Sequence, residues 1–258
     1  MRIIFFISIF VATLLAKDIS ATYRVSFGIF GQIGIATTSL HVKDRAYKIV
    51  IHAKSTGFAS FISGGREEWY ESDGKMVNGK LVPDIYKKVV KRSVNVGDVS
   101  NGTDRTVAKI YTLVYKFNHK AKTVTAIKIK MKDQHIDRDI EKLKFYAPND
   151  LLSLFFNFKK LFPTLQIKKQ HVLYAVGADK DTGKINLFPL AKKEFASLIS
   201  GDLSGLKFMK VILSDKIFAS KKGELYLGLN DKGFCEKAVL KDVLLFGDIR
   251  GELIEKNY

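Results

Sequence analysis

The sequence predicts a mainly β protein: a single highly curved antiparallel sheet, or an incomplete β-barrel, with one amphipathic helix in its concavity. Two observations lead to this prediction. Short segments in which apolar and polar residues alternate follow one another through most of the chain and are separated by turn residues, which is typical of antiparallel strands with one buried face. One segment, between Pro148 and Pro163, has helical periodicity instead.

Strands are predicted wherever the alternation has period two. It begins at 22–29, and Gly31 and Gly34 bracket a turn before a returning strand at 35–42. A third strand at 46–53 makes an antiparallel meander. The same pattern predicts further strands at 66–72, 85–96, 105–117, 123–131, 171–176, 184–188, 206–213, 223–230 and 238–246, and a short helix at 192–199.

Two pairs of turn residues interrupt the alternation in the first half of the chain. Asp73-Gly74 and Asn78-Gly79 both tolerate the positive φ that tight hairpin turns require. We therefore expect a hairpin turn at each pair. Because no internal repeat and no low-complexity linker divides the sequence, we expect residues 17–258 to form a single β-rich domain.

The segment between Pro148 and Pro163 is predicted to be the amphipathic helix. Asn149 or Asp150 can cap its first turn, and Pro163 ends its last. Its polar stripe is narrow and consists of Ser153, Asn157 and Lys160. The rest of its surface is apolar and includes four Phe side chains, so burial decides where the helix lies. It either plugs the curved sheet as core or forms a lid or wall over an apolar ligand cavity.

The first sixteen residues have the features of an export signal. Arg2 supplies a positive charge, residues 3–15 form an uncharged apolar run, and Ala16 offers a small residue for cleavage. The run is shorter than the roughly 20 apolar residues of a membrane-spanning helix. We expect 1–16 to be a signal peptide, cleaved after Ala16 or after Ala21, with an uncleaved anchor as the alternative. No cysteine lies near the cleavage point, so we expect no lipoprotein anchor.

The composition is strongly basic. The chain has 43 Lys and Arg residues against 26 Asp and Glu, a net charge of +17 at pH 7. Such a charge attracts anions, among them lipid headgroups and acidic glycans, although a lysine-rich background without a specific partner explains the scattered residues equally well. The export signal argues against nucleic acid as the partner. The candidate anion-binding surface consists of Lys87, Lys88, Lys91, Arg92, Lys128, Lys130 and Lys132.

No stretch of the chain has a catalytic signature. The sequence contains no Gly-x-Ser-x-Gly elbow, no phosphate-binding glycine loop and no dinucleotide fingerprint. The one cysteine, Cys235, excludes an intramolecular disulfide and lacks the flanking basic residues of a reactive thiol. We therefore expect a protein without enzymatic activity and without a cofactor.

A metal site is the best chemical alternative, at residues 135–141. If this segment is a strand, its odd-numbered members share one face, and imidazole with carboxylates can bind a divalent cation. These residues are His135, Asp137, Asp139 and Glu141. A solvated strand face is favoured instead, because Arg138, Lys142 and Lys144 place competing positive charge beside the carboxylates. We therefore expect no metal.

The order of these features resembles a family of exported bacterial proteins, domain of unknown function family 3108. The segments that resemble it are Tyr23 to Gly28 with Gly31 and Gly34, Ser55-Thr56-Gly57 with Arg66, Tyr70-Glu71-Ser72, Asn149 to Ser153, and Ile212 to Asp215. The resemblance implies a periplasmic or outer-membrane-facing β protein of Gram-negative bacteria. It also implies an open or incomplete barrel of the kind that holds lipids, without established catalytic residues.

These observations predict a non-enzymatic periplasmic envelope protein. We expect it to bind an apolar or amphiphilic, lipid-like molecule or an outer-membrane component in the hollow of the curved sheet. The residues expected to line that hollow are Phe61, Trp69, Phe155, Phe158 and Phe162. The alternative is a structural or scaffolding protein with a packed core, whose basic surface docks on peptidoglycan, anionic lipid or a protein partner.

Overall fold

The computed structural model describes residues 17–28, 31–57, 60, 63–98, 103–161, 169–179, 181–214, 220–231, 233–243 and 247–257. The predicted signal peptide lies outside these ranges. The prediction of a mainly β fold is confirmed: in the described part of the chain, fourteen strands form one sheet and two short helices accompany it. Among these residues no helix is long and apolar enough to span a bilayer.

Most elements of the chain are strands that follow one another directly in sequence. They are β1 (Lys17–Phe27), β2 (Gly31–Lys43), β3 (Ala46–Ser55), β4 (Glu67–Val77), β5 (Lys80–Asp98), β6 (Thr103–Asn118), β7 (Thr123–Lys132), β8 (His135–Lys142), α1 (Leu151–Leu161), β9 (His171–Tyr174), β10 (Lys184–Leu190), α2 (Lys192–Ala196), β11 (Lys207–Ile212), β12 (Glu224–Leu229), β13 (Cys235–Val243) and β14 (Gly247–Asn257). Residues 135–141, for which a strand was only considered, lie in β8, and the short helix predicted at 192–199 is present at Lys192–Ala196.

The sheet is an antiparallel meander that turns back on itself. Except for β8 and β9, strands that follow one another in sequence pair with each other, and β1 also pairs with β14, giving the order β8-β7-β6-β5-β4-β3-β2-β1-β14-β13-β12-β11-β10-β9. The two edge strands, β8 and β9, are therefore consecutive in the chain, and α1 lies between them in sequence. This is the incomplete barrel that the sequence predicts.

The two predicted hairpin turns have different outcomes. Asn78 and Gly79 have φ values of 50° and 72° and join β4 to β5, as expected. The turn predicted at Asp73-Gly74 is wrong, because β4 runs through both residues. The register shifts between them in a β-bulge, and a Cβ atom on Gly74 would lie only 2.1 Å from the carbonyl oxygen of Val82. The glycine permits close approach of β5, not a reversal of the chain.

Helix α1 packs in the concavity and joins two halves of the core. Leu152 belongs to a cluster with Ile49 of β3, and Leu154 to a second cluster with Leu227 of β12. A third cluster lies on the opposite, convex face of β11, where Phe195 of α2 stacks on Phe208 at a centroid distance of 4.7 Å. The interpretation of α1 as part of the core is therefore supported.

Candidate functional site

Buried polar groups fix the start of α1 against the sheet. The Oδ1 atom of Asp150 accepts the backbone N–H groups of Leu152 at 2.7 Å and Ser153 at 2.9 Å, so Asp150 is the helix cap. Its Oδ2 atom accepts a hydrogen bond from the Ser72 hydroxyl of β4 at 2.6 Å, and the hydroxyls of Ser72 and Tyr47 are 2.9 Å apart. Burial raises the pKa of Asp150, although these hydrogen bonds oppose the shift.

A second contact holds the middle of the helix. The Asn157 side chain accepts a hydrogen bond from the backbone N–H of Leu81 and donates one to the Leu81 carbonyl, both at 2.8 Å. It therefore pairs with the backbone of Leu81 in the way that a residue of an adjacent strand does. On the other side, the backbone of Leu151 donates to Val176, and Val176 donates to Asn149. Helix α1 is thus bonded to β5 on one side and to the segment after β9 on the other.

A cavity of about 770 Å³ opens beside the first turn of α1, between the concave face of β4 to β6 and the segments around β10 and the end of β11. This volume is within the usual range for ligand pockets. Its lining groups are basic (Arg66, Lys88, Arg92, Lys184), phenolic (Tyr70, Tyr86, Tyr111, Tyr115), acidic (Asp179, Asp181) and apolar (including Val90, Leu113, Leu151, Ile212, Leu213). We call it the tyrosine cavity.

Strand register brings these lining residues together. Alternate residues of a strand face the same side, and Lys88 of β5 is the register partner of both Tyr70 of β4 and Leu113 of β6. The next inward-facing pair along β5 and β6 is Tyr86 with Tyr115, whose rings stack at a centroid distance of 5.9 Å. The cavity wall is therefore continuous across three adjacent strands.

One carboxylate next to the cavity is surrounded by donors. Glu68 accepts hydrogen bonds from the Nε atom of Arg66 at 2.6 Å and from the Tyr70 hydroxyl, and lies 3.6 Å from the ammonium of Lys88. Burial opposes ionisation of Glu68, but Lys88, Tyr70 and Arg66 together lower its pKa. Glu68 therefore stays charged and holds two of the basic lining residues in place.

The tyrosines of the cavity are neutral at physiological pH, and Tyr70 already donates its hydroxyl to Glu68. Burial raises the pKa of Tyr70 and Tyr86 well above the ordinary value, and it raises the pKa of Tyr115 to about 12. The pKa of Tyr111 is raised by the same cause. A neutral phenol can donate a hydrogen bond to an anion without adding negative charge.

Positive charge exceeds the negative charge available in this cavity. Asp179 uses its oxygens within its own turn, where it accepts bonds from Thr182 and from the backbone of Asp181 and Lys184. Burial opposes its ionisation, but these bonds lower its pKa to about 2. Neither Arg92 nor Lys184 forms an ion pair with another residue in the ranges described. The site can therefore accept an anion.

Three of the five residues expected to line the hollow have a described position, and all three lie outside the tyrosine cavity. Trp69 is on the convex face of β4, next to the inward-facing Tyr70, and stacks on His52 at a centroid distance of 4.8 Å. Phe155 and Phe158 pack against the second core cluster and do not line the tyrosine cavity. Phe61 and Phe162 lie outside the described residues. The phenylalanines that do have a described position stabilise the core, and the cavity wall is made of tyrosines and basic residues.

The predicted anion-binding surface is divided between two faces. Lys87 and Lys91 lie on the convex side, where Lys87 is 3.8 Å from Glu71. The remaining members follow the inward alternation of β5 and β7, and they are Lys88, Arg92, Lys128, Lys130 and Lys132. The sequence indicated these basic residues but not which face of the sheet each one occupies, because both faces of β5 carry lysines and neither is distinctly apolar. Arg66 and Lys184 also line the cavity and were not predicted, because only the tertiary structure brings the start of β4 and the start of β10 to the same cavity.

The candidate metal ligands lie on an exposed strand edge. All residues of β8 are exposed, and the Nε2 atom of His135 lies 2.9 Å from Asp137. Asp139 and Glu141 face the Lys128 ammonium at 3.5 and 2.5 Å. Among the described residues no group of three or more His, Cys, Asp or Glu is arranged to hold a metal ion. Cys235 is buried, which raises the pKa of its thiol to about 12.

No family model matches this chain, and no curated protein matches it. Among solved structures, the chain is similar to a β-barrel-like protein of the domain of unknown function family 1849 from Brucella abortus. The sequence identity is 8%, the TM-score is 0.41, and the alignment covers 93% of this chain and 97% of the other. The resemblance to family 3108 stays a prediction.

Proposed function

We propose that this protein binds an anionic amphiphile in the tyrosine cavity and that it does so as a non-enzymatic protein of the periplasm. One observation carries the proposal: four basic side chains and four tyrosines converge with apolar residues on a single cavity of about 770 Å³. The basic and phenolic groups suit a charged headgroup, because charge-assisted hydrogen bonds are the strong ones. Val90, Leu113 and Leu151 offer an apolar surface for a hydrocarbon chain.

The periplasmic part of the proposal has its support in the sequence. Residues 1–16 have the features of a cleavable export signal, and the resemblance to an exported family is consistent with that location. An exported protein with a cationic, partly apolar cavity meets anionic lipids and their precursors in the cell envelope. The scaffold alternative requires a fully packed interior, which the cavity volume disfavours.

Titration calorimetry with decyl phosphate tests the proposal. Decyl phosphate should bind the purified protein, whereas decanol, which lacks the charge, should bind at least about tenfold more weakly, since a charge-assisted hydrogen bond is worth about 1.5–3 kcal/mol. Lys88→Gln should weaken decyl phosphate binding by about tenfold on the same grounds. Absence of binding by the wild-type protein would overturn the proposal.

The matched control is the neighbouring residue. Lys87→Gln removes one positive charge from the convex face of the same strand. It therefore lowers the net charge of the protein as much as Lys88→Gln does, but it leaves the cavity intact. Decyl phosphate affinity should stay within about twofold of wild type, as expected for a screened surface charge. Equal losses in the two variants would place binding on the general surface and not in the cavity.

A further inference from the structure

Three basic residues lie directly opposite one another on the concave face. Arg92 of β5 is the register partner of Lys109 of β6, and Lys109 is the register partner of Lys132 of β7. Direct cross-strand partners have Cβ atoms about 5 Å apart, and like charges in such pairs are destabilising. We call these three residues the cationic row. The fold therefore tolerates repulsion across three adjacent strands at this point.

Neighbouring carboxylates do not neutralise the cationic row. In the part of the chain that the structure describes, none of its three members forms an ion pair. Of the acidic residues of β8, Asp139 and Glu141 both face Lys128, and Asp137 lies 2.9 Å from His135. An anion from outside the chain can therefore neutralise the cationic row.

A second cavity, of about 370 Å³, lies over the cationic row. Besides the row itself, its walls include Lys130, His135 and Asp137, so four Lys and Arg side chains surround it against one carboxylate. The Nε2 atom of His135 lies 2.9 Å from that carboxylate. The composition of this cavity is thus more cationic than that of the tyrosine cavity, with far fewer tyrosines.

The two cavities adjoin each other. They share Val90, Arg92 and Tyr111 as lining residues. Along β5, Lys88 in the first cavity and Arg92 in the cationic row are four residues apart, which is about 13 Å at the rise of an extended strand. One ligand can therefore reach both cavities along the concave face.

We propose that the cationic row is a second anion-binding subsite and that the ligand carries two phosphate groups about 13 Å apart. This inference rests on the proposed function, because it assigns the first phosphate to the tyrosine cavity. Lys109 and Lys132 donate to the second phosphate together with Arg92, which also lines the tyrosine cavity. The ligand class is a bisphosphorylated amphiphile.

The test compares probes with one and two phosphates. Decyl phosphate and the corresponding α,ω-decane bisphosphate are titrated calorimetrically into the wild-type protein and into the double variant Lys109→Gln/Lys132→Gln. The bisphosphate should bind wild type at least about tenfold more tightly than decyl phosphate, since each charge-assisted contact is worth about that factor. The double variant should lose this advantage and keep its affinity for decyl phosphate.

The outcomes separate the two proposals. Equal affinities of both probes for wild type would overturn the second subsite and leave the tyrosine cavity standing. Binding of the bisphosphate that depends on Lys109 and Lys132, without any binding of decyl phosphate, would support the cationic row and overturn the proposed function. If neither probe binds, both proposals fail.

Two further titrations complete the test. Lys91→Gln, on the convex face next to Arg92, is the control for general charge and should leave both affinities within about twofold of wild type. Inorganic phosphate distinguishes a lipid headgroup from a free ion. If inorganic phosphate binds as tightly as the bisphosphate, the cationic row is a site for the free ion and the amphiphile proposal is overturned.

Discussion

Ser72 of β4 donates a 2.6 Å hydrogen bond to the carboxylate of Asp150, which lies 78 residues further along the chain. Both residues are fully buried, with 0% exposure. The same carboxylate caps α1, and the residue after it, Leu151, lines the tyrosine cavity. The position of the cavity wall therefore depends on a polar contact between the helix start and the middle of the sheet.

Replacement of Asp150 by Ala should be strongly destabilising. The variant loses the helix cap, worth about 1 kcal/mol, and leaves the Ser72 hydroxyl and two backbone N–H groups with fewer partners in the interior, which costs about 1–3 kcal/mol. Urea unfolding should show a loss of about 2–4 kcal/mol in the free energy of unfolding. Asp139→Ala, on exposed β8, is the control. A similar loss in both variants would contradict the role of Asp150.

Asp179 should make stability depend on acid pH. Its pKa is about 2 in the folded protein against an ordinary value of 3.8. Its stabilising contribution is therefore complete above pH 3.8 and is lost as the pH falls towards 2. Between about pH 5 and pH 2, Asp179→Asn should lose less stability than wild type. Parallel unfolding curves at each pH measure this difference, and identical pH profiles would rule the contribution out.

The overall fold was predictable because its signals are local. Period-two alternation indicates strands wherever one face is buried, and the Asn78-Gly79 turn needs only its own two residues. The Asp73-Gly74 prediction was wrong because the same residue pair serves a bulge where β5 approaches closely. The local sequence does not distinguish a glycine that forms a turn from one that permits close approach of another strand. The Val82 carbonyl lies next to Gly74 only because β4 pairs with β5.

The candidate site was less predictable because it depends on which face of each strand turns inward. In β5 both faces carry lysines, so the sequence does not separate Lys87 from Lys88. The narrow polar stripe of α1 did not indicate its partners either, and Ser153 and Asn157 are buried. Asn157 is satisfied there by the backbone of Leu81, a partner that only the tertiary structure supplies.

Gly177 should control the shape of the tyrosine cavity. It has a φ of +92°, and a Cβ atom at this position would lie 2.6 Å from the ring of Tyr86. Gly177→Ala should therefore displace Tyr86 and weaken decyl phosphate binding severalfold, besides straining the backbone. Gly205→Ala is the matched control, because Gly205 has a φ of +71° and open space around it. Calorimetry should show weaker binding only for Gly177→Ala, and equal affinities would contradict the assigned wall.

The cationic row should cost stability when no ligand is bound. Removing one of its charges relieves two like-charge pairs, so Lys109→Gln should raise the free energy of unfolding by about 0.5 kcal/mol at low salt. The gain should shrink as added sodium chloride screens the repulsion. Lys116→Gln is the control on the same strand, since its register partners, Ile85 and Thr125, are uncharged.

Urea unfolding at several chloride concentrations measures both effects. If Lys109→Gln is destabilising at low salt, the row is not repulsive and has no need of an external anion. If the gain appears and α,ω-decane bisphosphate then stabilises wild type more than the variant, the repulsion and the binding arise from the same three residues. The bisphosphate stabilises the protein in this case because a ligand that binds only the folded state shifts the unfolding equilibrium.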